Sequence, residues 1–425
     1  MREEPLDLSD ADRDGIEARG LTTDEVERQV ALLREPTPAV TLVRPCTISD
    51  GVERIADREH GELLALADEA ARSGRLSKFV PASGAASRMF ASVCAGAPET
   101  EDTKRFLESR DAFPFRESVE ELSRAPKALI PFHAYPEGAR TAFEEHLFEA
   151  ASTIRDAGGL CLVRFTVSPE HRRAFEDKLG EIRARVERGT GARLVVEFSE
   201  QSPSTDTIAL DESGGIFRDA EGRILFRPGG HGALLKNLEE SGGDVVLVKN
   251  IDNVVPDARR GTTILWKRLL TGYLVRFERS AARTRPLRVV GVVRNEGEPG
   301  GGPFWTSGPA GESRQIVESA EVNLADPSQA EIFGAATHFN PVDLACSLRD
   351  ASGRPFDLTR FVDERAVFVA KKTHEGRGLR ALERPGLWNG AMARWETVFV
   401  EVPKETFAPV KTILDLLRPE HAAPG

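Results

Sequence analysis

The chain lacks any long hydrophobic run. Nowhere in its 425 residues do the ~18 consecutive apolar side chains of a membrane-spanning helix occur. The sequence begins Met-Arg-Glu-Glu with no apolar segment behind it, so we expect no secretory signal. There are only 4 cysteines, far apart and without a CxxC pair. These absences predict a reduced, cytoplasmic protein without membrane association, disulfides or structural zinc.

Positive charge is also in deficit. The chain has 57 Lys and Arg against 68 Asp and Glu, a net charge of −11, so a general nucleic-acid surface is not expected. A small anionic ligand remains compatible with this balance, because a few cationic side chains can converge locally. The remaining composition, 40% hydrophobic and 29% charged, is that of a soluble globular protein.

Strand and helix patterns alternate from residue 78 onward, which predicts a mainly parallel sheet covered by helices. Residues 1–75 are predicted to be helical and polar, and the Gly- and Pro-rich residues 296–314 to form a loop. A helix is predicted to contain Met89 and Phe90, and another to follow Pro169. The other predicted elements are strands at 78–82, 160–167, 193–198, 244–249 and 287–293 and a helix at 262–278.

Residues 226–253 are the most informative stretch. Three glycines, Gly229, Gly230 and Gly232, leave His231 as the only side chain beyond Cβ, so this backbone can lie against a flat ligand. A short helix and an apolar strand follow, and the strand ends at Asn250, Asp252 and Asn253. Ligands of open α/β sheets bind at this edge. A carboxylate beside a glycine loop suits Mg²⁺ that carries a phosphorylated ligand.

A second glycine turn, at residues 81–90, lies between a predicted strand and a predicted helix. Its backbone N–H groups around Ser83 and Gly84 can bind an anion, and Arg88 adds a permanent positive charge. A tight turn with small residues for packing is the alternative.

Four single residues carry weaker signals. Lys127 precedes an apolar run, and Lys411 follows two prolines that stiffen its segment and suits a developing phosphate charge; surface lysines are the alternative. Gln201 ends a strand and can recognise an imide edge such as that of uracil, or can cap backbone. His231 is expected to form a hydrogen bond with a ligand rather than to act in catalysis.

Several short motifs resemble those of the UDP-sugar pyrophosphorylases, which include the UTP–glucose-1-phosphate uridylyltransferases. They are Pro-Gly-Gly-His-Gly at 228–232, Asn-Ile-Asp-Asn at 250–253 and Phe-Ala-Pro-Val-Lys at 407–411, in the same order as in that family. The stretch 78–90 resembles a bacterial family named domain of unknown function 4301. The first loop departs from the superfamily: it is Gly-Ala-Ala-Ser-Arg instead of Gly-x-Gly-Thr-Arg.

The resemblance implies a nucleotide-diphospho-sugar transferase fold (GT-A, Rossmann-like), a three-layer α/β/α structure with a mainly parallel mixed sheet. We expect three parts: an N-terminal helical segment (1–75), a nucleotidyltransferase core (76–345) and a C-terminal α+β part (346–425) that completes the sugar-phosphate site. The implied reaction joins a sugar 1-phosphate and a nucleoside triphosphate, with UTP expected, into a nucleotide-sugar and pyrophosphate.

The resemblance also implies roles for particular residues. Arg88 and Lys127 neutralise the triphosphate, Lys411 contacts the attacking phosphate, and Asp252 holds Mg²⁺. The nucleotide contacts are Ser83, Gly84, Gln201, Gly229, Gly230, His231 and Gly232, and the sugar contacts are Asn253, Glu318 and Asn340.

Two other functions stay open. A GT-A glycosyltransferase normally needs an Asp-x-Asp motif, and Ile-Asp-Asn supplies one carboxylate. A non-catalytic nucleotide-sugar-binding protein has little use for the four charges of Arg88, Lys127, Asp252 and Lys411. The sequence does not determine the oligomeric state.

Overall fold

The computed structural model describes residues 6–35, 39–94, 100–297, 300–308 and 311–422, except for the side chain of Asn340. The helices are α1 (Asp10–Glu17), α2 (Thr23–Arg34), α3 (Asp57–Arg72), α4 (Glu101–Glu108), α5 (Val119–Arg124), α6 (Ala142–Thr153), α7 (Arg172–Thr190), α8 (Leu235–Glu240), α9 (Arg260–Ser280) and α10 (Pro327–Gly334). The strands are β1 (Thr41–Pro45), β2 (Thr47–Ile48), β3 (Gly51–Glu53), β4 (Leu76–Pro81), β5 (Pro131–Tyr135), β6 (Gly138–Thr141), β7 (Leu160–Val167), β8 (Arg193–Glu200), β9 (Ala209–Asp211), β10 (Val245–Val248), β11 (Leu287–Arg294), β12 (Gly302–Gly308), β13 (Gly311–Val317), β14 (His338–Ser347), β15 (Phe368–His374), β16 (Arg377–Glu383) and β17 (Glu396–Glu401).

A nine-stranded sheet in the order β2-β3-β17-β11-β14-β10-β4-β7-β8 organises the molecule. Only β14 runs antiparallel to its neighbours, β10 and β11. Because the other pairs are parallel, the loops after β4, β7, β8 and β10 all leave the same edge of the sheet. The predicted α/β class with a mainly parallel mixed sheet is confirmed.

Both faces of this sheet are covered. Along β10, Val245 and Leu247 pack into a core with α3, α6 and α9, whereas Val246 and Val248 pack into a second core with α8 and Trp395. This explains why β10 is apolar at every position. In the part of the chain that the structure describes, no helix has the length and apolar character to span a membrane.

The prediction that residues 1–75 are helical was wrong in part, because this stretch contains the strands β1, β2 and β3 as well as α1, α2 and α3. β3 pairs with β17 and so belongs to the main sheet, while α2 packs against β9 and β16 of a separate three-stranded sheet. The division into three parts stays a prediction.

Two local predictions were wrong. The predicted helix at Met89 and Phe90 is a 3₁₀ turn at Ala86–Arg88, because the Ala86 N–H donates to Ala125 O (3.0 Å) and ties this segment to residues 125–127. The predicted loop at 296–314 contains the β12–β13 hairpin, and β12 also pairs with β1. The first residue of β12 is a glycine because a Cβ on Gly302 would lie 2.4 Å from His338 O, a close approach that only glycine permits.

Candidate active site

Asp252 lies four residues beyond the end of β10 and binds two lysines through one oxygen. Its Oδ2 accepts hydrogen bonds from Lys127 Nζ (2.7 Å) and Lys411 Nζ (3.0 Å). The other oxygen, Oδ1, is buried without a hydrogen-bond partner among the described residues. The structure therefore brings together three of the four charges that the sequence pointed to, and leaves one carboxylate oxygen available.

Backbone pairing with the first glycine turn places Lys127. The Lys127 N–H donates to Gly84 O (3.0 Å). Two residues earlier, Ala125 O accepts the N–H of Ala86, the first residue of the 3₁₀ turn that ends at Arg88. The turn follows β4, which is the neighbour of β10 in the sheet. Lys127 is thus fixed beside the loop that carries Asp252.

The segment before Lys411 runs alongside Asp252 and Asn253. The Val410 N–H donates to Asp252 O (3.0 Å), and the Ala408 N–H donates to Asn253 Oδ1 (2.9 Å). Asp415 then accepts the N–H of Lys411 at 2.7 Å. These bonds leave the Lys411 side chain free to extend toward the carboxylate of Asp252.

The two lysines differ in exposure, and the difference decides what each can do. The side chain of Lys127 is 14% exposed and that of Lys411 is 59% exposed. Burial lowers the pKa of Lys127, although the charge of Asp252 opposes this shift. For Asp252, burial raises the pKa, but the charges of Lys127 and Lys411 outweigh it and hold the pKa below its usual value. Asp252 is thus an ionised carboxylate, Lys127 is fixed, and Lys411 can move to a ligand.

Asn253 is placed differently from the prediction that it contacts a sugar. It is buried, its Nδ2 donates to Thr406 O (3.2 Å), and its Oδ1 accepts the Ala408 N–H. Since protein backbone occupies both ends of the amide, Asn253 fixes the segment that carries Lys411, and its sugar contact stays a prediction.

The first glycine turn presents exposed groups at the same sheet edge. Ser83, Gly84 and Arg88 are all exposed, which suits contact with a ligand. An added Cβ at Gly84 would meet nothing within 4 Å, so the protein itself does not require glycine there.

The second glycine loop packs closely on its own chain. A Cβ at Gly232 would lie 1.9 Å from Pro385 O, and Gly229 O accepts the Arg384 N–H (2.8 Å). His231 is exposed, stacks on Trp388 with ring centroids 5.3 Å apart, and accepts the Leu387 N–H at Nδ1 (3.0 Å). An Nδ1 that accepts leaves the proton on Nε2, so His231 keeps one donor for a ligand.

Gln201 directly follows β8, at the predicted edge. It is half-buried, and its Nε2 lies 3.4 Å from Asp206 Oδ1, a long contact that a ligand can replace. Nearby, Asn237 of α8 donates to Glu200 O (2.8 Å), which holds the helix after the glycine loop against the end of β8. This hydrogen bond therefore keeps the 229–232 glycine loop, which leads into α8, close to Gln201.

Glu318 directly follows β13, and the charge of Lys411 acts on its carboxyl group. Burial raises the pKa of Glu318, and the polar environment that Asn389 provides and the charge of Lys411 oppose this shift. The side chain of Asn340 lies outside the described part of the structure, and its sugar contact stays a prediction.

Three residues of the site were not found from the sequence: Asp415, Glu321 and Asn389. Asp415 accepts the N–H groups of Lys411 and Thr412, both at 2.7 Å, and the spacing from Thr412 to Asp415 is a capping-box signal that could have revealed it. Glu321 and Asn389 belong to no sequence motif, because their contact joins distant parts of the chain.

The fold is similar to that of UDP-sugar pyrophosphorylases. The uridine diphosphate N-acetylglucosamine pyrophosphorylase from Trypanosoma brucei, solved with an inhibitor, is 17% identical over 96% of this chain and 79% of that chain, with a TM-score of 0.58. A UDP-glucose pyrophosphorylase mutant from Leishmania major, solved with UDP-glucose, is 16% identical over 97% and 79%, with a TM-score of 0.54. At these identities the likeness establishes the fold.

No curated protein sequence matches this chain. One family model covers nearly all of it, through residues 9–125, 115–284 and 280–422. The expected relation to that family and the resemblance of the fold to UDP-sugar pyrophosphorylases are both confirmed. The chain belongs to the family described as Domain of unknown function (DUF4301).

Proposed function

We propose that the protein is a nucleotidyltransferase of the pyrophosphorylase type, which makes a UDP-sugar and pyrophosphate from a sugar 1-phosphate and UTP. The observation that carries this proposal is the Asp252 carboxylate held by the ammonium groups of Lys127 and Lys411 at the ligand edge of the sheet. The fold supports it, since the similar structures from T. brucei and L. major are UDP-sugar pyrophosphorylases.

The local charge suits two phosphorylated substrates. Lys127 and Lys411 contact Asp252 with two positive charges, and Arg88 adds a third on the exposed first glycine turn, although the whole chain carries −11. Lys127 is fixed by backbone bonds and suits the triphosphate. Lys411 is largely exposed and suits the phosphate of the sugar, whose charge redistributes during transfer.

The residues present also fit Mg²⁺. This ion usually keeps several waters and binds through one or two carboxylates and substrate phosphates. Asp252 Oδ1 is buried and without a partner among the described residues, which contain no group of three acidic, His or Cys side chains able to hold a metal. Asp252 would therefore hold the ion together with substrate oxygens, and the ion would supply charge neutralisation at the phosphates.

In the proposed reaction an oxygen of the sugar phosphate attacks the α-phosphorus of UTP in line. The new P–O bond forms as the bond from the α-phosphorus to the bridging oxygen breaks, and pyrophosphate leaves with the electron pair. The protein positions the reactants and stabilises charge, without a covalent intermediate.

Base and sugar subsites follow from the neighbourhood of this centre. We assign the base to Gln201 and the 229–232 loop, with the free Nε2–H of His231 as an additional donor and Ser83 and Gly84 beside the phosphates. The sugar is assigned to Glu318, on which the charge of Lys411 acts, together with Asn340. Asn253 would join this subsite through the segment that it fixes, because its own amide is bound to backbone.

Pyrophosphate release measured over a matrix of nucleoside triphosphates and sugar 1-phosphates tests this function. We expect release only when both substrates are present, with UTP preferred. Binding of UDP-sugars without turnover would instead indicate a nucleotide-sugar-binding protein. Consumption of a UDP-sugar that forms UDP and no UTP would indicate a glycosyltransferase.

A further inference from the structure

A loop that no sequence motif marked, residues 384–389 between β16 and the 3₁₀ turn Gly390–Met392, touches both proposed subsites. At its start, the Arg384 N–H donates to Gly229 O (2.8 Å). In its middle, the Leu387 N–H donates to His231 Nδ1 (3.0 Å) and Trp388 stacks on the same ring. The loop thus fixes the backbone and the histidine of the proposed base subsite.

The far end of the same loop is tied to the segment that carries Glu318. Asn389 is 2% exposed, and its Nδ2 donates to Ile316 O (3.2 Å) and to Glu321 Oε2 (2.9 Å). The Glu318 N–H donates to the same Glu321 oxygen at 2.7 Å. Asn389 and Glu321 therefore hold residues 316–321 from two sides.

The carboxyl groups of Glu318 and Glu321 are neighbours, so hydrogen-bond donors are needed to offset their burial and mutual repulsion. Burial raises the pKa of Glu321 to about 7, and the charge of Glu318 adds to this shift, while the bonds from the Glu318 N–H and Asn389 oppose it. The Asn389 amide also interacts with Glu318 and favours its ionised form. The buried amide thus binds the Glu321 carboxylate directly and holds the strand end before Glu318, and the charge of Lys411 also favours ionised Glu318.

We propose that Asn389 and Glu321 are positioning residues that hold the backbone at Glu318, and so orient its carboxylate for recognition of a sugar 1-phosphate whose phosphate binds Lys411. This inference rests on the proposed function. A carboxylate next to an ammonium group complements the chemistry of that substrate, whose hydroxyl groups donate to Glu318 while its phosphate binds Lys411. Through residues 384–389 the sugar subsite and the base subsite form one connected structure.

The variants Asn389→Ala and Asn389→Asp test this inference. Asn389→Ala removes the donor that orients Glu321 and Glu318, so the KM for the sugar 1-phosphate should rise about tenfold, the usual effect of one lost hydrogen bond to a charged group. Asn389→Asp adds a third carboxylate beside the other two and should raise it further. The KM for UTP should change less than twofold.

Asn295→Ala serves as the matched control, since the half-buried Asn295 donates to Ala336 O (3.4 Å) and accepts the Gly297 N–H (2.9 Å), groups that belong to neither proposed subsite. It should leave both KM values unchanged. Equal changes of both KM values in the Asn389 variants, together with a lowered Tm, would reduce Asn389 to a structural residue and overturn the inference. Unaltered kinetics would also overturn it. A wild-type chain that forms no nucleotide-sugar would contradict the proposed function as well, which separates the two failures.

Discussion

Asp252 binds two ammonium groups from residues that lie 125 and 159 positions away in the chain. A buried carboxylate is costly unless it is paired, and here the pairing leaves one oxygen without a partner among the described residues. The ion pair between Lys411 and Asp252 is exposed and can be broken, whereas the ion pair of Lys127 is held in place by hydrogen bonds of the Lys127 backbone. The centre can therefore exchange one cation contact for a ligand without unfolding its support.

Lys411→Met tests the role of the exposed positive charge of Lys411. The substitution keeps the stem length and removes the charge, so kcat should fall roughly a hundredfold, as for the loss of one preorganised charge contact in a transition state. The KM for UTP should change little. Steady-state kinetics decide the matter: a raised KM for the sugar 1-phosphate with an unchanged kcat would make Lys411 a ground-state binding residue.

Gln201→Ala tests base recognition. The long contact between Gln201 Nε2 and Asp206 contributes little, so the variant should fold normally. A uracil left without its partner should weaken UTP binding by about 1–3 kcal/mol more than ATP binding. Calorimetric titration with both nucleotides measures this difference, and an equal loss for both would mean that Gln201 only supports the loop.

At the scale of single residues, local motifs predicted Asp252, Lys127 and Lys411 because each lies in a short segment with its own chemical pattern. They did not predict Glu321 or Asn389, whose contact spans 68 positions. They also did not show that the amide of Asn253 would be occupied by Thr406 and Ala408, since that depends on where the C-terminal segment crosses.

Among the structural elements, the glycine loop has a different reason for its glycines than the sequence argument gave. From the sequence, the glycines were expected to leave space for a flat ligand. In the structure Gly232 lies against the backbone of Pro385, where any Cβ would overlap the carbonyl oxygen. The loop is first of all a close backbone contact, which places His231 and leaves its outer surface for a ligand.

Gly232→Ala should therefore destabilise the protein. The carbonyl of Pro385 belongs to backbone and must move, so we expect a loss of about 1–3 kcal/mol in the free energy of unfolding, as for an overpacked site. Gly180→Ala is the control, because Gly180 is exposed inside α7 with nothing within 4 Å of an added Cβ and should gain about 0.5–1 kcal/mol. Chemical denaturation compares them; a Gly232→Ala variant as stable as wild type would contradict the packing account.

Helices and strands were predicted correctly where their apolar runs are long. The predictions failed where pairing with a distant segment decides whether a strand forms. β7, β10 and α9 have strong periodic or continuous patterns and formed as expected. β12 begins with Gly302 and Pro303 and forms because β1, more than 250 positions earlier, lies ready to pair with it. Such a partner is invisible in the local sequence.

Across the whole molecule, a buried charge network joins the sheet to its helices. Glu149 of α6 binds Lys78 of β4 (2.7 Å), Lys249 after β10 (2.7 Å) and Lys267 of α9 (3.1 Å), and Asp343 of β14 binds Lys267 as well. All five side chains are buried. Through Glu149 the network links α6 to both β4 and the end of β10, the two strands whose loops form the candidate site.

Lys78→Met tests how this network affects stability. Burial lowers the pKa of Lys78 to about 7, although the charge of Glu149 opposes the shift. The unfolded chain, with a lysine pKa near 10.4, then binds more protons above pH 7 than the folded chain does, so this group makes stability rise with pH, by at most about 1.4 kcal/mol per unit. Denaturation between pH 7 and 9 should show that rise in wild type and a smaller one in the variant. Parallel profiles would contradict the shifted lysine.

In the proposed reaction, Asp252, Lys127 and Lys411 support transfer of the nucleotidyl group between a sugar 1-phosphate and pyrophosphate. Exchange of radiolabelled pyrophosphate into UTP, measured with UDP-glucose and Mg²⁺, tests it most directly, because it follows the reaction itself. Wild type should incorporate label, and Asp252→Asn should fold with a similar Tm yet lose the exchange, since site residues at strand ends contribute little packing. Full exchange by a folded Asp252→Asn variant, or none by wild type with any UDP-sugar, would contradict the account.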